Sequence, residues 1–109
     1  MTSATGHPYG IDKKSISIII INYNTCQELQ ACLGSINPEE AGEVVVVDNN
    51  SSDGSVEMVR SKYPWVTIYA NRTNLGYGAA ANQAIANSSA RYMLLLNSGT
   101  LLQPGALKP

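Results

Sequence analysis

The sequence has few histidines, little net charge and no long apolar run, and each of these absences argues against a class of function. Its single histidine, His7, lies in a polar leader with no partner residue nearby, so no Ser-His-Asp triad is expected. The net charge of -1 gives no support for broad electrostatic binding to nucleic acid or acidic membranes. The apolar run Ile18–Ile21 is far shorter than the roughly 20 residues that span a bilayer. Neither a nucleic-acid partner nor a membrane segment is predicted in this chain.

The sequence also lacks the cysteine patterns of metal sites and the glycine motifs of dinucleotide-binding folds. Cys26 and Cys32 have no second pair or nearby histidine to complete a metal site, so reduced thiols in a cytoplasmic protein are predicted. A dinucleotide-binding fold needs Gly-x-Gly-x-x-Gly after its first strand, but that position reads Asn22-Tyr-Asn-Thr-Cys-Gln. The later Gly76-Tyr-Gly78 lacks the third glycine, and there is no P-loop lysine. A dinucleotide oxidoreductase is therefore supported only by the alternation of strands and helices.

That alternation is the main feature present in the sequence. The composition is 44% hydrophobic, which is ordinary for a globular domain. Runs rich in β-branched or aliphatic residues predict strands at 16–21, 44–47, 66–70 and 92–96. Helical spacing predicts helices at about 26–35, 55–62 and 76–87. The order β-α-β-α-β-α-β predicts an α/β fold with a mainly parallel sheet and helices on both faces, a three-layer Rossmann-like arrangement.

The same pattern of strands and helices predicts the domain boundaries and the residues that cap the helices. Residues 1–14 are predicted to form a flexible tail and residues 15–109 one domain, with Pro104 in the first turn of a further helix. Thr25 and Glu28 predict a capping box for the first helix, and Ser52 or Asp53 a cap for the second. An exposed edge of the sheet is a possible contact with a second copy of the chain.

Polar side chains follow the predicted strands where each strand ends. Ligands of open α/β sheets bind at the carboxyl ends of the strands, so these positions predict a nucleotide site. Asp48 can accept a hydrogen bond from a base or ribose, and Tyr23 can pack on a base. The alternatives are that Asp48 caps a helix or braces a loop, and that Tyr23 packs on the adjacent helix. The asparagines near the strand ends also fit turns.

Four motifs occur in an order that resembles a known family. They are the strand followed by Asn22-Tyr23-Asn24, the run Val-Val-Asp48-Asn49-Asn50-Ser51-Ser52-Asp53-Gly54-Ser55, Asn74-Leu75-Gly76-Tyr77 with Asn82, and Leu-Leu-Leu-Asn97-Ser98-Gly99-Thr100. Together they resemble the amino-terminal half of family 2 glycosyltransferases of the GT-A fold, in particular the rhamnosyltransferase-like group. The match covers about Ser15 to Leu107.

The resemblance implies inverting transfer of a sugar from a UDP-, dTDP- or GDP-sugar donor to an acceptor hydroxyl. It also implies a set of donor-binding residues: Ile21, Asn22, Tyr23, Asn24, Asp48, Asn50, Ser51, Asn74, Gly76, Asn82 and Asn97. Mg²⁺ or Mn²⁺ is expected for the family, held by an Asp in the loop after the fourth strand. Here Gly99 stands at that position. Loss of the carboxylate should weaken neutralisation of the donor diphosphate.

Two functional hypotheses follow from this departure. In the first, the chain is the donor-binding half of an active glycosyltransferase, because the family's catalytic base and acceptor site belong to the carboxyl-terminal half. No catalytic residue is then expected in this chain. In the second, the chain is a non-catalytic nucleotide-binding or scaffold module in which the metal site is lost.

Overall fold

A computed structural model describes residues 15–106 of the chain. The predicted tail at residues 1–14 lies outside the described residues. Residues 104–106 form a turn, and any helix that continues past them also lies outside the described part.

The alternating order of strands and helices is confirmed. The strands are β1 (Ile16–Asn22), β2 (Glu43–Asp48), β3 (Thr67–Ala70) and β4 (Tyr92–Asn97), and the helices are α1 (Cys26–Gly34), α2 (Ser55–Lys62) and α3 (Tyr77–Ala86). Each predicted boundary lies within one residue of the observed one. The sequence reading missed a short 3₁₀ helix at Pro38–Glu40, which begins after Asn37 accepts a hydrogen bond from the Glu39 amide at 3.0 Å.

The four strands form one parallel sheet in the order β3-β2-β1-β4. β1 lies inside the sheet between β2 and β4, which explains its aliphatic sequence, since Ile18, Ile19 and Ile20 are fully buried. The register pairs Asn22 with Asp48 at the ends of β1 and β2. These two polar residues are therefore neighbours at the carboxyl edge of the sheet.

Alternation of side chains along the strands builds two cores on opposite faces of the sheet. The first, which we call the α1/α2 core, joins Ile18, Ile20, Val44 and Val46 to side chains of α1 and α2. The residues predicted to face the sheet from the first helix are all buried there, although Ile36 follows the end of α1: Leu29, Cys32, Leu33 and Ile36. The second, the α3 core, joins Ile19, Val45 and Val47 to Ala80 and Ala84. The small alanine side chains let α3 lie close to the sheet.

The capping box predicted for α1 is wrong. Thr25 precedes the helix, but its side chain makes no capping bond and donates to the Asn22 side-chain oxygen at 2.7 Å. The Cys26 amide at the helix start instead donates to a carboxylate oxygen of Asp53 at 2.9 Å. Asp53, which is distant in the sequence, has thus taken the place of Thr25 as the acceptor at the start of α1. The spacing of residues along the sequence cannot reveal such a contact.

β3 and β4 form the two edges of the sheet. On β4, Tyr92 is 50% exposed and Leu95 is 37% exposed. Pairing of an edge with a second copy stays a prediction. Within residues 15–106, no helix has the length and apolar character needed to cross a membrane.

Candidate functional site

The strand ends form a polar edge that we call the rim: residues 22–25, 48–55, 71–76 and 97–100. Because all four strands are parallel, the loops that follow them leave the sheet on the same side. Most of the residues carried over from the family resemblance lie on the rim. The exceptions are Ile21, which is half-buried against the α3 core, and Asn82, which is exposed on α3.

Asp48 lies at the centre of a buried hydrogen-bonded group within the rim. It is 1% exposed. Its Oδ1 accepts from Asn22 Nδ2 at 2.9 Å and from Ser51 Oγ at 2.7 Å, and its Oδ2 accepts from the Ser51 amide at 2.8 Å. Asp48 therefore braces the loop that follows β2, as the alternative interpretation predicted. Its contact with a nucleobase stays a prediction.

The loops after β1 and β2 are locked to each other by reciprocal bonds. The Asn24 amide donates to Ser51 Oγ at 2.8 Å, and the Asn24 side-chain oxygen accepts from the Ser52 amide at 2.8 Å. Asn24 and Asn50 both have positive φ, 51° and 69°, a region that asparagine tolerates better than most residues. The two asparagines in these loops thus have a backbone role, and the loops form one unit.

Asp53 connects the first turns of two helices. Its Oδ2 accepts from the Cys26 amide of α1 at 2.9 Å, and its Oδ1 accepts from the Ser55 amide of α2 at 3.1 Å and the Ser55 hydroxyl at 2.5 Å. Desolvation raises the pKa of this carboxyl, but the bonds from Ser55 and Cys26 outweigh it and hold the pKa below its ordinary value. The prediction that Ser52 or Asp53 caps α2 is wrong, because Gly54 occupies the N-cap position and makes no side-chain cap bond, while Asp53 accepts from the Ser55 amide from one residue before that position.

A second buried group, not predicted from the sequence, is centred on Asn49. This side chain is 2% exposed and contacts the loop at residues 71–76. Its Oδ1 accepts from Asn71 Nδ2 at 3.2 Å and from the Leu75 amide at 3.3 Å, and its Nδ2 donates to the Gly76 carbonyl at 3.3 Å. A possible signal was the alternation of the valine run, which continues past Asp48 and places Asn49 on the α3 face.

The remaining candidate residues are exposed at the rim. Tyr23 is 51% exposed, so about half of its surface is open to a ligand at the rim, and its packing on a base or on the adjacent helix stays a prediction. Asn74 and Asn97 accept bonds from the amides of Gly76 and Gly99, each at 2.8 Å, which are turn contacts. Within residues 15–106, Asn82 makes no hydrogen bond to the rim.

The rim residues do not fit a divalent metal ion. The loop after β4 offers Asn97, Ser98 and Thr100 but no carboxylate, because Gly99 occupies the expected position. Both oxygens of Asp48 and of Asp53 are engaged by the bonds above. Across the described part of the chain, no group of three His, Cys, Asp or Glu side chains is placed to hold a metal. Mg²⁺ and Mn²⁺ favour charged oxygen ligands, which this donor set lacks.

Two open grooves lie away from the rim. One, of about 420 Å³, lies beside Glu43 and Arg91 at the amino end of the sheet. The other, of about 600 Å³, lies between the end of α1 and residues 102–106. Neither groove is lined by a residue of the predicted donor site.

Comparison with known proteins decides the family. The sequence model of Glycosyl transferase family 2 matches residues 17–109. The chain belongs to this family. The match includes β1 from Ser17 onward, the other three strands and the whole rim, so the resemblance based on the strand-end motifs is confirmed.

Two relatives are glycosyltransferases that are much longer than this chain. Glycosyltransferase AglE of Haloferax volcanii is 34% identical over 89 residues, which are 75% of this chain and 29% of that protein. The N-acetylglucosaminyl-diphospho-decaprenol L-rhamnosyltransferase of Mycobacterium tuberculosis is 32% identical over 73 residues, 65% of this chain and 24% of that protein. The chain therefore spans less than a third of the length of these relatives.

A solved structure confirms the fold class. The crystal structure of S. aureus TarS 1-349 superposes with a TM-score of 0.74 at 25% identity, over 84% of this chain and 29% of that one. The parallel sheet with helices on both faces is thus the Rossmann-like part of a GT-A fold, in agreement with the sequence prediction.

Proposed function

We propose that this chain is the donor-binding half of an inverting glycosyltransferase that uses a nucleotide-diphosphate sugar. The observation that carries the proposal is the rim itself, where separate strand ends bring Asn22, Asp48 and Ser51 together next to the exposed ring of Tyr23. Family membership supports glycosyl transfer as the overall reaction. The rhamnosyltransferase among the relatives supports a sugar donor without naming the sugar of this chain.

In this proposal each part of the rim contacts a different part of the donor. Tyr23 packs on the base, and Asp48, which is 1% exposed and accepts from Asn22 and Ser51, holds the loop that faces the base. Asn50, Ser51 and the loop at residues 71–76 line the ribose and the diphosphate. No side chain of the described residues caps α3, so the amides of its first turn can face the negative diphosphate.

The chemical step itself needs groups beyond this chain. In an inverting transfer the acceptor oxygen attacks the anomeric carbon, the bond from that carbon to the diphosphate breaks, and a base takes the hydroxyl proton. The longer relatives point to an acceptor half that supplies this base. The contribution of this chain is binding and orientation of the donor.

Tyr23 gives the sharpest test of donor binding. Its ring is about half exposed, and within residues 15–106 its side chain makes no hydrogen bond, so Tyr23→Ala should leave the structure intact. We expect the substitution to weaken binding of UDP, dTDP or GDP about tenfold, since base–aromatic stacking contributes about 1–3 kcal/mol. Backbone NMR shifts in the rim measure the affinity.

The matched control is Tyr92→Ala, which removes a tyrosine of similar exposure at the opposite, amino end of the sheet. This control should bind as the unchanged chain does. Equal affinities for all three proteins would exclude base stacking on Tyr23. The absence of shifts in the unchanged chain with every nucleotide would overturn the proposal.

A second candidate function is a non-catalytic nucleotide-binding or scaffold module. Gly99 and the engaged carboxylates of Asp48 and Asp53 favour it, because they leave the rim without a metal ligand. This function predicts nucleotide binding that Mn²⁺ does not strengthen. Titration of the unchanged chain with a nucleoside diphosphate, with and without Mn²⁺, distinguishes the two candidates.

A further inference from the structure

The loop at residues 71–76 is tied to the rest of the rim by one buried side chain. Asn49 makes three hydrogen bonds that reach Asn71, Leu75 and Gly76, the first and the last two positions of this loop. Within residues 15–106, no other side-chain hydrogen bond joins the loop to residues 22–25 or 48–55. One backbone bond, from the Asn71 amide to the Asp48 carbonyl at 2.9 Å, continues the ladder of β2 and β3.

The chemistry of these bonds requires an amide side chain. Asn49 accepts twice at its oxygen and donates once at its nitrogen, which a carboxylate or a hydroxyl cannot reproduce in full. The three distances, 3.2–3.3 Å, lie at the long end of the range for N–H···O bonds. Each bond is therefore weak, and the position of the loop depends on their sum.

A further pair of bonds extends this group onto α3. Asn71 and Gln83 exchange two side-chain hydrogen bonds, each of 3.0 Å. Asn49 thus lies where the end of β2, the loop and the start of α3 meet. Gly76, which precedes the helix with a φ of 82°, receives its bond from Asn49 at the carbonyl.

We propose that Asn49 is a positioning residue for donor binding, which sets the place of the loop at residues 71–76 and of the first turn of α3. The inference rests on the proposed function and deepens it. Asn49 is 2% exposed and does not touch the donor. It acts through the exposed Asn74 and through the uncapped amides of α3, both of which move with the loop.

The experiment compares Asn49→Ala with the unchanged chain, with UDP, dTDP and GDP as probes. We expect Asn49→Ala to weaken nucleotide binding about tenfold or more, since it removes several hydrogen bonds of a buried group. Amide hydrogen exchange at Leu75 should accelerate by a similar factor, because its acceptor is lost. Both are measured far below the melting temperature, and exchange at the buried amides of β1 gives the reference for any global loss of stability.

The matched control is Asn87→Ala at the opposite end of α3. Asn87 is exposed and donates to the Gln83 carbonyl at 2.8 Å, so the control also removes an asparagine bond to this helix. It should leave both nucleotide affinity and Leu75 exchange unchanged. If Asn49→Ala fails to fold, Asn49→Asp takes its place: it keeps the acceptor for Leu75, loses the donor to Gly76, and should weaken binding to a smaller extent.

The outcomes separate this inference from the function on which it rests. Nucleotide binding that is equal in the unchanged chain and in both Asn49 variants would overturn the positioning role while leaving the donor site intact. Faster Leu75 exchange with unchanged affinity would likewise exclude a role in binding. If the unchanged chain binds no nucleotide, the proposed function fails, and Leu75 exchange alone then decides whether Asn49 places the loop.

Discussion

Asp48 and Asn49 are consecutive residues whose side chains serve opposite faces of the same sheet. Asp48 continues the Val44 and Val46 side of β2 and accepts from Asn22 and Ser51. Asn49 continues the other side of the strand and contacts residues of α3 and of the loop before it. Two adjacent positions therefore organise two different loops of the rim.

Replacement of Asp53 should destabilise the chain and change its response to acid. The folded-state pKa of this carboxyl is lowered, so the unfolded state binds its proton first as the pH falls. The contribution of Asp53 to stability is complete above about pH 4 and is lost as the pH falls through the lowered pKa. Asp53→Ala should reduce the free energy of unfolding at pH 7 by about 1 kcal/mol, since it removes the hydrogen bonds from Cys26 and Ser55.

Urea denaturation at several pH values measures this effect. Asp53→Asn is the matched variant, since it keeps side-chain oxygen for one helix start but has no charge to titrate. Its stability at pH 7 should lie between those of the other two chains, and its loss of stability as the pH falls below about 4 should be smaller than that of the unchanged chain. Equal acid sensitivity in all three chains would show that the bonds to Cys26 and Ser55 do not stabilise the ionised carboxyl.

Burial of Cys32 predicts a loss of stability at high pH. Desolvation in the α1/α2 core raises the pKa of this thiol from 9.0 to about 11. The unfolded thiol ionises first, so this contribution to stability is present below about pH 9 and is lost as the pH rises through 11. Cys32→Ala should lower stability at pH 7 because of the cavity, and should also flatten the pH dependence between 9 and 11. The free energy of unfolding is measured against pH for the unchanged chain and for Cys32→Ala. The difference between the two pH profiles gives the contribution of the Cys32 thiol.

Ser17→Ala should leave the chain as stable as before or make it more stable. The Ser17 side chain is fully buried, and its hydroxyl has no hydrogen-bond partner within residues 15–106. Removal of an unpaired buried hydroxyl should raise the free energy of unfolding by up to about 1 kcal/mol. Thermal unfolding measures the change. Ser55→Ala is the control, since Ser55 is equally buried but donates to Asp53, and its loss should cost about 1 kcal/mol.

Gly99→Asp should give the rim a metal-dependent mode of binding. A Cβ at this position meets only Asn97 Oδ1 at 3.4 Å, and the backbone does not require glycine, so the side chain fits. We expect Mn²⁺ to strengthen binding of a nucleoside diphosphate to this variant and not to Gly99→Asn, which has the same shape without the charge. Calorimetric titration with and without Mn²⁺ gives the comparison. If the unchanged chain already binds the metal complex tightly, the non-catalytic candidate fails.

The sequence predicted the fold well because its signals are local and repeated. The isoleucine run of β1 and the valine run of β2 mark interior parallel strands, and the buried face of α1 follows from helical spacing. The strand-end position of Asn22, Asp48 and Asn97 follows from the parallel topology alone. These features depend on the pattern of apolar and polar residues along whole strands and helices. They could therefore be predicted without knowledge of any single contact.

The missed features all depend on contacts between distant residues. Thr25 fits the local capping pattern, but its hydroxyl turns to Asn22 because Asp53, far along the chain, reaches the helix start. Asn49 resembles one more polar loop residue until α3 and the loop before it are placed around it. The accessibility of Asp48 also could not be read from sequence, since Ser51 and Asn22 cover it only after the loops fold together.

The alternating pleat of β2 fixes how the valine run can vary in length. One residue more or fewer before Asp48 would turn the acid toward α3 and the amide of Asn49 toward Ser51, so each loop would meet the wrong partner. A change of two residues would restore the orientation of the Asp48 and Asn49 side chains. It would only move the carboxyl end of β2 along the strand direction. Natural or engineered variants of this chain should therefore lengthen or shorten that run in even steps.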